Sequence, residues 1–333
     1  MKMSKNVKTF LKALVKHMDV LAILLLSVLL TACFLTWNRH FLSVSNISNI
    51  IQQNAALIIV SVGMTFVVIS GNIDLSSGSL IVLTACLTGV VFRGTGNIWL
   101  GIAACMGVAI LVAAMNAALI SYGKINAVII TLACMVWARG LALGITGSKS
   151  IPVASSVLQT IYRPFAAVFF NITLIIVALC VAAGWFLLTQ TKFGRYTKAI
   201  GENEHATELT GVNTRFIKFC IFTLAGLLTG IASLVDLSRL GSAVAMIGYN
   251  MEMNAIVAVV IGGNKLSGGE GSFAKMLCGL LFMCLLTNGL ATLGLMDSQV
   301  YLLKGAIILA ALAIQRGASL LRLRWLRALN AME

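Results

Sequence analysis

Charge is scarce in this sequence. Asp, Glu, Lys and Arg together make up 10% of its 333 residues, and only 10 residues are acidic. A soluble domain covers its core with about a quarter charged residues, so a globule exposed to water is excluded. Histidine is almost lacking: His17, His40 and His205 lie far apart, and no C-x-x-C, Cys/His cluster or H-E-x-x-H occurs. Metal and redox chemistry therefore have no ligand set to rest on. No grouped nucleophile, base and acid stands out, which argues against an enzyme working inside a membrane. Asp236 and Glu252 fall near predicted helix ends, so the bilayer midplane is expected to be nearly free of ionisable groups. Carriers driven by protons or sodium more often place acids there.

What is abundant is apolar surface, at 59% of residues with a mean hydropathy of +1.00. A spanning helix needs about 20 apolar residues, and the runs 18–36, 50–69, 78–93, 98–120, 125–146, 167–189, 215–236, 251–264, 273–293 and 299–316 meet or approach that. The prediction is an all-α polytopic membrane protein of about ten transmembrane helices, some short or broken. The eight cysteines lie in or beside these runs and read as small apolar residues. Lys2, Lys5, Lys8, Lys12 and Lys16 precede the first run, which is too long for a signal-peptide core and lacks a clean cleavage site. Most of the 24 Lys and Arg fall in alternate connections. That bias puts both termini in the cytoplasm. The expected organisation is a basic cytoplasmic segment 1–17, a transmembrane domain 18–316 and a basic cytoplasmic tail 317–333. Leu320 to Arg327 is basic and amphipathic enough to lie on the inner leaflet, and no aromatic-basic platform for nucleic acid accompanies it.

The loop 191–214 is the most polar stretch between the termini. Asn203 to Leu209 has the makings of two helical turns, with Asn203 as cap and Glu204 in the first turn, bracketed by Gly201 and Gly211. So short a helix lies on the membrane surface or is held by a partner. Gly71-Asn72-Ile73-Asp74-Leu75-Ser76-Ser77-Gly78 echoes Gly263-Asn264-Lys265-Leu266-Ser267-Gly268-Gly269, either as an internal repeat or as convergence on one kind of turn. Asp74 either caps the helix after it or helps to shape a solute path. Amides at Asn54, Asn72, Asn126, Asn254 and Asn288, with Ser76, need partners in hydrocarbon. They suit a neutral, hydroxyl-rich solute and are candidates, with Asp74, for the walls of a path. Gly226 and Gly230 permit close helix contact, within the chain or at an oligomer seam. The tryptophans read as an interfacial belt.

Three ordered stretches resemble one family. Gly63 to Ser79, with Ile73-Asp74-Leu75-Ser76, is similar to the signature near the second and third spans of the ribose/xylose/arabinose/galactoside class of bacterial ABC importer permeases, in the branched-chain amino acid/monosaccharide permease superfamily. Phe193-Gly194-Arg195 followed by Gly201, Glu202, Asn203, Ala206, Leu209, Gly211 and Asn213 resembles that family's cytoplasmic segment. Ala255 to Gly263 with Leu266-Ser267-Gly268-Gly269, then Asn288-Gly289-Leu290, is the third stretch. Two positions depart from the pattern: Asn72 stands where the family has Gly, and Glu270 where it has Arg.

The resemblance implies a type II importer-like permease that forms a path at a homo- or heterodimer interface and carries no cofactor of its own. It further implies a cytoplasmic ABC ATPase partner that holds ATP and Mg, and a periplasmic sugar-binding protein that delivers a monosaccharide or polyol. Docking to the ATPase would fall on Gly201, Glu202, Asn203, Glu204, Ala206, Glu208, Leu209 and Gly211. The competing readings are an ion-coupled or passive carrier or channel, and a membrane scaffold that moves no solute.

Overall fold

A computed structural model describes residues 18–163 and 171–330; the basic segment 1–17 and part of the sixth predicted run lie outside them. The described residues form thirteen helices. They are α1 (Met18–Trp37), α2 (Val44–Gln53), α3 (Ala55–Ile69), α4 (Ser77–Thr95), α5 (Ile98–Ser121), α6 (Ala127–Thr146), α7 (Ser156–Tyr162) and α8 (Ile172–Gln190), followed by α9 (Lys192–Leu209), α10 (Thr214–Leu240), α11 (Met251–Ile261), α12 (Phe273–Ala291) and α13 (Asp297–Asn330). One two-residue bridge joins Ile151–Pro152 to Ser242–Ala243. The all-α, polytopic expectation holds.

Among the described residues, eight helices are long and apolar enough to cross a membrane. The run expected at 50–69 is instead a bent pair, α2 and α3, meeting at 53°. Asn54 occupies the bend, and its side-chain amide donates to the Ile50 carbonyl at 2.8 Å. The polar triplet Gln52-Gln53-Asn54 interrupts the apolar run there, so one straight span gives way to two pieces. The run expected at 251–264 is the 11-residue α11. At 1.5 Å per residue it covers roughly half of a hydrocarbon core about 30 Å thick. The last run does not stop near residue 316: α13 continues without a break to Asn330, so the basic tail extends the final helix.

α3 is apolar on all sides and buried along its whole length, as such a helix must be. It packs on α10, where Gly63 meets the Ala225 backbone. α10 in turn lies along α5 through Gly226 against Ala113 and Gly230 against Ala109. Lipid tails are as apolar as Leu, so helices associate here by close approach of small residues. The glycine pair thus serves packing inside the chain. Thr84 in α4 donates to Ser233 of α10 at 2.8 Å, and Ser233 donates to the Ile81 carbonyl. These hydroxyls satisfy one another away from lipid.

A side chain at 226 would collide with Ala113, whereas Gly140 on α6 faces open space. Overpacking of this kind costs roughly 1–3 kcal/mol. Gly226→Val is expected to lower the apparent Tm of the detergent-solubilised protein by several degrees, with Gly140→Val close to the parent as control.

Candidate functional site

Two helices begin inside the bundle. After α3 the chain turns at Gly71 (φ 77°) and runs through 72–76 without regular structure before α4 begins at Ser77. Ser76 receives the Asn116 side chain of α5 at 3.5 Å. Asn116 lies five residues before the end of α5, so α4 starts about 8 Å inside that end. From the opposite end of the bundle, 244–250 dips inward after the Ser242–Ala243 bridge, and α11 starts at Met251 with Asn250 in a left-handed conformation (φ 55°). The first turns of α4 and α11 meet: Gly78 lies against the Glu252 carboxylate and the Gly248 carbonyl, where a Cβ would overlap both. Two helix N-termini, each with a partial positive charge, therefore converge within the bundle.

Acids collect where those dipoles converge. Asp74 is 6% exposed, and its Oδ1 accepts from the Ser76 amide at 2.8 Å and the Ser76 hydroxyl at 2.6 Å. The cap position is Ser76, not Asp74; the carboxylate orients the cap residue from two places upstream. Glu252, 5% exposed, points at the first turn of α4. Its carboxylate lies against the backbone amides of Gly78 and of Glu252 itself, while Ser77 Oγ has no hydrogen-bond partner. Arg139 of α6 lies within electrostatic reach of Glu252, with its guanidinium 5.3 Å from the Tyr249 ring centroid and Nε unpartnered. Glu252 does sit near a helix end, but it lies about 13 Å along α11 from that helix's C-terminus. The expectation of a midplane almost free of ionisable groups is thereby corrected: Asp74, Glu252 and Arg139 all lie at depth.

At the α9 end of the bundle the two echoing motifs touch. Each closes its helix in the same way. Gly71 and Asn72 donate to Val68 and Val67 carbonyls, and Gly263 and Asn264 to Val260 and Val259, a Schellman arrangement. Beyond those asparagines the chains diverge, one returning into the bundle and the other turning into α12. The shared geometry is a helix stop, which suffices for the echo. Gly269 donates to the Ile69 carbonyl at 2.9 Å, and Gly268 packs on Gly71. Gly201 of α9 sits on both, so near that a Cβ would overlap the Ile69 carbonyl and the Gly269 amide. Glu270, the departure from the family pattern, is paired with Lys265 of the same turn at 2.8 Å. Gln315 of α13 donates to the Ile261 carbonyl at 2.9 Å, satisfying the end of α11; nothing in the sequence marked it.

α9 is kinked at Asn203 (φ −159°, ψ 102°), whose Oδ1 accepts from the Ala206 amide at 2.9 Å. The predicted cap is thus in place, although a helical stretch already precedes it from Lys192. The half before the kink is anchored by Thr197, Ile200 and a Phe193–Phe66 ring contact. In the half after it, Thr207 alone is buried; Glu204, Ala206, Glu208 and Leu209 are exposed, Leu209 at 77%, as is Glu202 just before the kink. Gly211 (φ 85°) ends it. Glu204 pairs with Lys218 at 3.0 Å beside a cleft of 530 Å³ lined by Asn72, Lys124, Asn126 and Glu208 among others.

The candidate path residues fall in four places. Asn72 and Asn126 border the cleft, Asn126 while capping α6 through the Val128 amide. Asp74 and Ser76 meet at the half-helix junction, with Asn254 in the first turns of α11. Asn288 exchanges hydrogen bonds with Asn46 and Gln53, tying α12 to α2. Asn54 holds the bend. Reading the sequence put Arg139 and Glu252 near helix ends and did not single out Tyr249, because the re-entrant dip that unites them leaves no hydropathy signal; a Glu two residues past an Asn before a short apolar run was the available hint.

Comparison with known proteins bears on what this arrangement serves. A family model described as branched-chain amino acid transport system / permease component matches residues 46–312. The ribose import permease protein of Escherichia coli strain K12 is 31% identical over 312 residues, covering 92% of this chain and 95% of its own. That of Bacillus subtilis strain 168 is 36% identical over 286 residues, with 85% and 88% covered. The xylose transport system permease protein of E. coli K12 is 30% identical, with 87% and 90% covered. No solved structure matches. With eight membrane-length helices and a match across most of its length, the chain belongs to the branched-chain amino acid transport system / permease component family of multi-pass membrane permeases.

Proposed function

We propose that this chain is the membrane subunit of an ATP-driven, binding-protein-dependent importer of a monosaccharide or related polyol in a bacterial inner membrane. The relatives named for ribose and xylose import support the sugar class. The α9 end faces the cytoplasm: Lys124, Lys192, Arg195, Lys198, Arg215, Lys218 and Lys265 gather there, as the positive-inside rule requires. Both termini then lie on that side. The permease pairs with a second copy or a similar chain, and a periplasmic sugar-binding protein docks at the opposite end. Domain boundaries follow: a basic segment 1–17, the transmembrane body 18–316 and a basic tail 317–333 carried on α13.

The observation that carries the coupling reading is the exposed second half of α9. A polar turn and a half, ending in a Leu that is 77% exposed, projects from this end of the bundle and offers a surface for a partner to cover. Its root is Gly201, which touches the ends of α3 and α11 through the two glycine turns. A push on α9 therefore reaches both helices that lead to the half-helix junction. The partner ATPase, holding ATP and Mg, supplies that push; Glu202, Glu204 and Glu208 offer charge to a basic surface on it. From the junction, Asp74, Ser76 and Asn254 contribute to the path, and Asn72 and Asn126 to its cytoplasmic mouth, while Asn54 and Asn288 hold its walls together.

A carrier driven by ions has one observation in its favour, the two carboxylates at depth. Uptake into proteoliposomes containing only this chain, abolished by a protonophore, would support it. The importer reading expects uptake only when the ATPase, the binding protein and ATP are all present.

Charge reversal at Glu202 and Glu208 together is expected to abolish co-purification of the ATPase and to reduce ATP-dependent uptake at least tenfold, with unchanged folding by circular dichroism. Intact assembly would refute the docking role. Gly201→Val must displace α9 from fixed backbone atoms. It is expected to leave the ATPase bound but uncouple its hydrolysis from uptake, measured as hydrolysis persisting while transport falls.

A further inference from the structure

A second cleft, of 670 Å³, opens where the end of α11, the start of α12 and the later turns of α13 come together. Lys265, Glu270, Lys275 and Arg316 form its polar wall, and Val260 and Leu312 its apolar one. Its depth follows from α13. That helix begins at Asp297, and Arg316 stands nineteen residues on, about 28 Å along the axis. A hydrocarbon core is about 30 Å thick, so Arg316 lies at its cytoplasmic edge, level with lipid headgroups, and Leu312 lies one turn deeper. The charges in the cleft do not balance. Lys265 and Glu270 pair at 2.8 Å and cancel. Lys275 and Arg316 have no acidic partner among the described residues. Lys275 is half-buried and donates to the Gly263 carbonyl at 3.1 Å, which uses one of its three hydrogens; exposed Arg316 brings five N–H donors. Nearby acceptors are already spent: Asn264 takes the Val259 carbonyl, and Gln315 takes those of Val260 and Ile261. The N-terminus of α12, capped by Ser272, adds partial positive charge.

We infer that this cleft binds the phosphate of an anionic phospholipid from the cytoplasmic leaflet, held by Lys275 and Arg316. A guanidinium presents paired N–H groups to two phosphate oxygens, and an ammonium acts as a point charge beside them. Basic pockets between helices at the cytoplasmic side of a membrane take anionic headgroups in this way. Free phosphate shares the charge chemistry, but it has no acyl chain to lay against Val260 and Leu312, and these stand on the membrane side of the basic pair. A zwitterionic lipid carries its own cation and gains less from the surplus charge. The bound phosphate ties α13 to the start of α12, next to the turn whose Gly269 lies against Gly201. The lipid thus braces the turn on which α9 rests. This site concerns the membrane around the permease and does not depend on which solute it moves.

The test is native mass spectrometry of the full chain, purified in a neutral detergent and titrated with dioleoyl phosphatidylglycerol or dioleoyl phosphatidylcholine. The parent is expected to retain phosphatidylglycerol at a lipid concentration about fivefold or more below that needed for phosphatidylcholine. Lys275→Gln with Arg316→Gln should remove that preference, and Arg316→Lys should keep part of it. A control carrying Arg322→Gln, Arg324→Gln and Arg327→Gln, which strips charge from α13 beyond the cleft, should bind within twofold of the parent. Equal retention of the two lipids by the parent overturns the site. An undiminished preference in the double variant does so too, as does a control that loses as much as that variant, since the charge then acts as a diffuse surface. Displacement of the lipid by excess inorganic phosphate assigns the cleft to free phosphate and overturns the lipid. Where Lys275→Gln unfolds the chain by freeing the Gly263 carbonyl, Arg316→Gln alone decides: a preference reduced about threefold supports the site, and an unchanged one overturns it.

Discussion

A helix that stops inside a membrane leaves backbone amides and carbonyls where water cannot reach them, and each unsatisfied group costs several kcal/mol. This constraint explains most of what is unusual in the chain. α4 and α11 both begin within the bundle, and the residues at their first turns are the most polar at that depth: Asp74, Ser76, Ser77 and Glu252. The carboxylates face two convergent helix dipoles, which is the one environment inside hydrocarbon where negative charge is welcome. At the other end of α11, Gln315 and Asn264 take up its carbonyls. Breaking two helices thus fixes the placing of polar residues at their own ends and on α13.

The breaks also dictate the packing. A chain that re-enters the bundle needs room, and glycine provides it at Gly78 and Gly248, which bring two backbones together where no Cβ fits. The same device recurs at the α9 end. There Gly71, Gly201, Gly268 and Gly269 bring three separate segments into backbone contact. Such contacts have little slack, since backbone cannot change rotamer. A displacement of α9 is therefore passed on to α3 and α11 instead of being absorbed by side chains.

Function is distributed along this frame. In the proposed function, force enters at an exposed polar helix and passes through glycine contacts to the junction of α4 and α11. The residues between carry no chemistry of their own, and the permease needs none. Its family membership, matched over residues 46–312, agrees with a molecule whose parts are organised for movement.

Much of this was legible in the residues. Hydropathy alone established the polytopic helical class, because nothing except helices satisfies backbone groups across so many apolar runs. Capping chemistry located Asn203 before the exposed turns of α9, and the small-residue spacing of Gly226 and Gly230 marked a close helix contact. These are local properties, readable from neighbours in sequence. Which surfaces the glycines join, the bend at Asn54, and the depth of Glu252 and Arg139 were settled by the tertiary structure alone. Glu252 lies beside a helix end in the sequence; only the dip of 244–250 makes that end an interior one. A residue's distance along the chain from an apolar run says nothing of its depth once the chain re-enters the membrane, and so the most consequential charges were the ones that sequence position concealed.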